Sequence, residues 1–138
     1  MNPKKWLSAT VVGFLVITAS DFTLHHLWLK SVYMEHPEFW RAPAEMKMRM
    51  PFLFLGEFLS AMLLAFIYPI GYQKKSPGSE GIRFGLLLGL LVFLPQNLIA
   101  YFIYPFPTKL FVAWTFGGVV EYAFAGIAIG LMYGKKQT

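Results

Sequence analysis

The stretch IRFGLLLGLLVFLPQNLIAYFIY, residues 82–104, decides the fold of this chain. Its one charged residue is Arg83, near the start, and at 1.5 Å per residue the run can cross roughly 30 Å of hydrocarbon as a helix. Three further apolar runs of similar length occur at about residues 6–29, 51–72 and 110–133. The sequence therefore predicts an all-α fold, a four-helix transmembrane bundle that forms a single domain over residues 1–138.

The composition supports a chain surrounded by lipid. Hydrophobic residues make up 57% of the 138 residues and charged residues only 14%, which lies outside the range of ordinary soluble domains. The chain contains no cysteine, which excludes disulfides, thiolate nucleophiles and Cys-based metal sites. The net charge is +5, but the basic residues stand in short clusters beside apolar runs. Membrane lipids, and not nucleic acid, are therefore the expected partner of these charges.

The basic residues also predict an orientation. With four spans both termini lie on one side, where seven Lys and Arg are found, against five on the other: Lys4, Lys5, Lys74, Lys75, Arg83, Lys135 and Lys136 against Lys30, Arg41, Lys47, Arg49 and Lys109. This bias favours cytoplasmic termini. Residues 4–20 can also be read as a signal peptide, but the apolar character resumes at residues 24–29, which favours a membrane span.

The first loop, residues 30–49, differs from the other connections. It mixes aromatic and Met residues with charged ones and is interrupted at Pro37 and Pro43. This composition predicts a segment that lies at the headgroup level of the membrane. Such a segment can anchor the chain to the surface, cover a pore mouth as a lid, or dock a partner.

Glycines recur at four-residue spacing in the third and fourth spans, at Gly81, Gly85 and Gly89 and again at Gly126, Gly130 and Gly134. Small residues at this spacing let two helix backbones approach closely in a bilayer. The pattern predicts a tight helix-helix seam. The seam can lie within one bundle or between subunits, and we expect a homo-oligomer.

Each predicted span also carries an acidic or amide side chain, which hydrocarbon tolerates only with a partner. On the first span Asp21 and His25 are four residues apart and share one helical face. In the third span Pro95 removes a backbone hydrogen bond and places a bend beside two amides. The candidate binding or proton-coupling residues are Asp21, His25, Glu57, Gln96, Asn97 and Glu121.

Several functions would explain why polar side chains are kept within the membrane spans. The favoured active function is proton- or cation-coupled transport of a small solute. The main rival is an accessory subunit whose polar side chains only hold the helices together. A membrane-embedded enzyme acting on a lipid or quinone would use Asp21, His25 or Glu121 as acid or base. Asp21, His25 and Glu57 are weak candidate metal ligands, and no cofactor or catalytic residue is indicated because recognised phosphate-loop, nucleophile-elbow and metal motifs are missing.

The order of these spans and loops along the chain resembles that of a family of small four-span bacterial inner-membrane proteins of unknown function. The resemblance is carried by Leu27-Trp28-Leu29 before the aromatic loop, by the GLLLG run at residues 85–89, and by Lys109-Leu110-Phe111 before the fourth helix. It implies a four-span fold and a bacterial inner (plasma) membrane location. By size and by its intramembrane glutamates the chain is also similar to small multidrug transporters, from which it departs in its long first loop and in carrying Asp21 in place of a first-span glutamate.

Overall fold

The computed structural model describes residues 2–73 and 76–134, and in this part of the chain the ordered elements are helices. Helix α1, Pro3–Phe22, continues into a π-helical turn, Thr23–Trp28. A short helix α2 and a 3-10 turn follow, and then three long helices complete the chain: α2 Lys30–Glu35, the turn Pro37–Phe39, α3 Pro43–Ile67, α4 Pro77–Ile103 and α5 Thr108–Tyr133. The predicted all-α fold is confirmed.

Four segments are long and apolar enough to cross a membrane: α1 together with its π-helical turn, α3, α4 and α5. The chain is therefore a multi-pass membrane protein. Two of the long helices, α3 and α4, expose many Leu, Phe and Ile side chains on their outer faces. In a bilayer these faces contact hydrocarbon, so their exposure costs nothing there.

Helix α3 extends beyond the apolar run from which its span was predicted. It begins at Pro43, a residue favoured in the first turn of a helix. Its first turns carry Glu45, which accepts hydrogen bonds from Arg41 at 2.5 Å and from Arg49 at 3.1 Å. Such pairs at four-residue spacing support a helix outside hydrocarbon. The first loop is consequently shorter than the polar sequence suggested, and α2 gives it an ordered part.

Helices α1 and α5 form the centre of the bundle, with α3 packed against α1 and α4 against α5. The core that joins α1, α3 and α5 is built of small and aliphatic side chains, among them Ala9, Ile17, Ala61, Leu64 and Ile129. Small residues let these helices approach closely, which is how helices associate in lipid.

The glycine seam lies between α4 and α5 of the same chain. Gly81 and Gly126 face each other, and a Cβ added at either would overlap the other's backbone carbonyl. Gly85 in the same way faces the backbone of Tyr122. The seam therefore closes the chain's own bundle, which answers the question that the sequence left open. Gly134 is not part of it, because this residue follows α5 with a φ of 67°, in the left-handed region that glycine favours.

The two ends of the bundle differ. At the terminal end the Lys5 ammonium donates to the Tyr133 carbonyl at 2.9 Å, so the start of α1 and the end of α5 are joined. At the opposite end the first loop meets the α4–α5 connection, where Trp40 stacks on Phe106 with ring centroids 5.9 Å apart. Four lysines that contribute to the expected charge bias lie outside the described residues: Lys74, Lys75, Lys135 and Lys136.

Candidate functional site

A partly open cavity of about 170 Å³ lies between α1, α4 and α5. Its lining combines two carboxylates, an imidazole and an amide with apolar and aromatic side chains: Asp21, Leu24, His25, Phe93, Asn97, Trp114, Gly118 and Glu121. Four of the residues predicted for the site thus share one cavity. It has room for a small ion or solute with a few waters and is smaller than typical drug-sized sites of about 300–1,000 Å³.

Local irregularities of the helices make room for the cavity. In the π-helical turn the Leu29 N–H donates to the Leu24 carbonyl, five residues back, at 2.9 Å. Such wide turns inside helices are frequent at functional sites. On α5, Gly118 lets the Phe93 ring lie against the helix, since a Cβ there would collide with that ring. On α4, Pro95 lies two residues before Asn97 and removes one backbone donor.

Asp21 and His25 form the pair that the four-residue spacing predicted. The His25 Nε2 lies 3.3 Å from the Asp21 carboxylate, and both side chains are about one-third exposed (32% and 27%). The other ring nitrogen, Nδ1, is hydrogen-bonded to the Tyr33 hydroxyl. The Trp114 indole N–H donates to the same hydroxyl oxygen at 2.7 Å. Two hydrogen bonds therefore lead from α5 through Tyr33 to His25, whose other ring nitrogen lies within ion-pair distance of Asp21.

The surroundings of Tyr33 determine whether its hydroxyl group is protonated, and so whether it can donate a hydrogen bond. Burial is the largest effect and raises the pKa of Tyr33 to about 12; the charge of Asp21 adds to it, and the Trp114 hydrogen bond opposes it. The phenol therefore keeps its proton at neutral pH. Because its oxygen accepts from the indole, its own O–H is available to His25.

Glu121 is the most enclosed acid that lines the cavity, with 8% of its surface exposed. In the part of the chain that the structure describes, no side chain donates a hydrogen bond to it. Its carboxyl group lies close enough to Asp21 and Glu57 for their charges to act on it. Carboxylates from α1, α3 and α5 thus converge on one region of the bundle.

The remaining predicted residues have different surroundings. Glu57 is buried at the α1–α3 contact, where it accepts a hydrogen bond from the Thr18 hydroxyl at 2.5 Å, and it lies beside the cavity instead of lining it. Asn97 lines the cavity and donates to the Thr115 hydroxyl at 3.1 Å. The structure does not bring Gln96 to the site: its side chain is exposed and outside the lining. One step along a helix turns a side chain by about 100°, which separates Gln96 from Asn97.

The weak metal hypothesis gains no geometric support. Within residues 2–73 and 76–134 no three His, Asp or Glu side chains are arranged to hold a metal ion. Asp21 and His25 are paired, but Glu57 is engaged by Thr18 on the neighbouring contact. His26 is exposed and stacks on Phe22 with ring centroids 4.8 Å apart, away from the cavity.

Sequence reasoning missed Tyr33 as a member of the site. It lies eight residues after His25, beyond the π-helical turn, so no helical periodicity connects the two. A usable signal for the cavity was present in α5, because the adjacent small residues Gly117 and Gly118 leave room for Leu24 and Phe93, which line it.

Among known proteins, no family model, no curated protein and no solved structure matches this chain.

Proposed function

We propose that this chain is a bacterial inner-membrane protein with cytoplasmic termini that moves a small cation or solute in exchange for protons. The observation that carries the proposal is Glu121, which lines the cavity while no described side chain donates a hydrogen bond to it. A polar cluster that only joined helices would place its most enclosed acid in a fully paired setting. A carboxylate that binds a transported ion must instead keep its oxygens available.

The charge balance of the cavity supports the same proposal. Its lining holds the carboxyl groups of Asp21 and Glu121, and within the described residues no Lys or Arg joins them there. In a bilayer such charges require a partner. A proton or a bound cation can each neutralise the same oxygens, and the two would compete. Competition at one carboxylate is the simplest way to couple the movement of a solute to that of protons.

A structural role is the second candidate, and it rests on different bonds. The Thr18 hydroxyl donates to Glu57 between α1 and α3, and the Asn97 amide donates to Thr115 between α4 and α5. Interhelical hydrogen bonds of this kind stabilise membrane bundles by about 0.6–1.7 kcal/mol each. Neither bond involves Glu121, so stabilisation of the bundle by these bonds and a transport site at Glu121 are compatible.

The proposal is tested by proton movement in liposomes. The purified protein is reconstituted with a pH-sensitive dye inside, and gradients of Na⁺, K⁺ or methylammonium are imposed in turn. We expect at least one gradient to move protons, and Glu121→Gln to reduce this movement to the level of protein-free liposomes. Glu35→Gln is the matched control, because Glu35 is exposed at the end of α2 and does not line the cavity.

The test has two contradicting outcomes. One is proton movement in the Glu121→Gln variant equal to that of the unmodified protein, with the fold intact by circular dichroism. The other is an equal loss in the Glu35→Gln control, which would trace the effect to something other than the cavity. Glu57→Leu, which removes the acceptor of the Thr18 bond, separates the candidates further: a purely structural cluster predicts a loss of stability of about 0.6–1.7 kcal/mol in this variant and no flux in any variant.

A further inference from the structure

Gln96 is the predicted site residue that the cavity does not use. It lies on α4, seven residues before the helix ends at Ile103, between the apolar stretches of residues 84–94 and 98–103. Seven residues correspond to roughly 10 Å of helix, so the amide lies well inside the hydrocarbon. A glutamine side chain is too short to reach the headgroups from this depth.

The amide of Gln96 is exposed, and no group in the described parts of the chain forms a hydrogen bond with it. On a protein surface in water, solvent would satisfy such a side chain. In hydrocarbon there is no water to do so, and an unpaired amide is unfavourable there. A hydrogen-bonding partner from outside this chain would remove that cost.

The neighbours of Gln96 on its helical face form a regular stripe. Four exposed residues follow one another on α4 at spacings of four, three and four: Val92, Gln96, Ile99 and Ile103. This is the spacing of the contact seam in a coiled coil, which keeps one face of a helix turned to a neighbouring helix. The three apolar members are β-branched, so they have little rotamer freedom to lose on packing. We call these four residues the α4 stripe.

The α4 stripe is separate from the surfaces that α4 already uses. This helix packs against α5 through the glycine seam, and it lines the cavity through Phe93 and Asn97. Asn97 follows Gln96 directly, so the two side chains point about 100° apart. A helix that packed on the stripe would therefore leave both the seam and the cavity in place.

The chemistry of the amide identifies the kind of partner. A glutamine amide both donates and accepts hydrogen bonds, so it is complementary to a second glutamine amide. Copies that share one orientation in the membrane can be related by a two-fold axis, which brings each residue of the stripe opposite its own copy. Gln96 would then meet Gln96, with apolar side chains on both sides of the pair. An acyl chain offers apolar contact but no hydrogen bond.

We propose that the α4 stripe is an interface between two copies of this chain, in which the two Gln96 amides hydrogen-bond to each other within the membrane. Amide side chains join membrane helices in this way. A single polar pair in an apolar seam also fixes the register of the two helices. The interface needs no transported solute, so the inference does not rest on the proposed function.

The absence of cysteine from the chain permits a test of the contact by disulfide formation. One variant carries Ile103→Cys, in the stripe, and the matched control carries Phe102→Cys, one residue earlier on the same helix. Phe102 is the more exposed of the two, 90% against 59%, so exposure alone would favour crosslinking at Phe102. In liposomes treated with copper phenanthroline we expect the Ile103→Cys variant to form dimers about tenfold faster, because its two Cα atoms lie within disulfide range.

Removal of the amide tests its part in the contact. The dissociation constant of the dimer is measured in liposomes over a range of protein-to-lipid ratios, by energy transfer between dyes on Ser31→Cys, an exposed position outside the spans. Gln96→Leu should raise this constant about tenfold, as the loss of an interhelical hydrogen bond in a membrane allows. Gln96→Asn is the matched control, because it keeps an amide and should dimerise nearly as well. Circular dichroism should be unchanged in both variants, since the described chain offers Gln96 no hydrogen bond to lose.

Equal crosslinking of the Ile103→Cys and Phe102→Cys variants overturns the inference, and so does a Gln96→Leu dimer as tight as the unmodified one. Protein that stays monomeric at every protein-to-lipid ratio overturns it as well, and would assign the stripe to a different membrane protein. None of these measurements involves flux. A dimer through Gln96 without proton movement would therefore refute the proposed function alone, and proton movement by a monomer would refute this inference alone.

Discussion

The substitution Gly85→Ala tests the seam on which the bundle depends. A Cβ at this position would overlap the Tyr122 carbonyl and lie 2.7 Å from the Ala123 Cα. Both atoms belong to the backbone of α5 and cannot rotate aside. Ordinary contact begins at 3.4 Å, and the Tyr122 oxygen would be closer still than the Ala123 Cα, so α4 and α5 must separate by more than the 3.4 − 2.7 = 0.7 Å that the Ala123 Cα alone requires.

The energetic cost follows from that separation. A gap of about 0.5–1 Å already forfeits roughly a quarter to a half of the dispersion attraction between facing atoms. Overpacking costs typically about 1–3 kcal/mol, and the upper end applies here because only rigid backbone opposes the methyl group. Gly56→Ala is the matched control, since Gly56 lies in α3 with nothing within 4 Å of its added Cβ. Both variants share the intrinsic gain of alanine over glycine in a helix, which cancels in the comparison.

We therefore expect Gly85→Ala to be less stable than Gly56→Ala by about 3 kcal/mol, or about a hundredfold in the ratio of folded to unfolded protein. The assay is reversible unfolding in mixed micelles with an increasing fraction of sodium dodecyl sulfate, followed by tryptophan fluorescence. Equal midpoints for the two variants would refute the close backbone contact between α4 and α5 and the reasoning built on it.

The remaining predictions concern two tyrosines and one interhelical bond. Burial is the main cause at both tyrosines, and it raises the pKa of Tyr33 and of Tyr68 to about 12. The stability that each neutral phenol contributes should therefore be present below about pH 10, the ordinary pKa of a tyrosine, and should be lost as the pH rises towards 12. Absorbance at 295 nm, taken as the difference between unmodified protein and Tyr33→Phe or Tyr68→Phe, should titrate near pH 12, and a midpoint near the ordinary value would contradict the burial. A double-mutant cycle of Asn97→Leu and Thr115→Val should give a coupling of about 1 kcal/mol in the same micelle assay, whereas zero coupling would mean that this bond does not join α4 to α5.

Much of the fold could be predicted because apolar run length and helical spacing are local properties. The four spans followed from runs of sufficient length, and the contact between Asp21 and His25 followed from four-residue spacing on one helix. The glycine spacing predicted a seam but not its partner, since the same pattern serves contacts within and between chains.

The candidate site was predictable only in part. Which faces of separate helices meet depends on their rotation, and this is a property of the whole bundle. Asn97 and Glu121 reach the cavity, whereas Gln96, one residue from Asn97, does not. Tyr33 enters from a segment without helical register to the span, so no spacing rule connects it to His25.

The wide turn at Thr23–Trp28 also bears on how this protein can change over evolutionary time. A ring closed by a bond to the fifth preceding residue holds one residue more than an ordinary helical ring. Removing that surplus residue would let the turn close as an ordinary α-helical ring, so the residues that follow would keep nearly their present direction. A single-codon deletion within this turn would thus leave the following segment, with Tyr33, nearly in place and would remove only the wide turn beside the cavity.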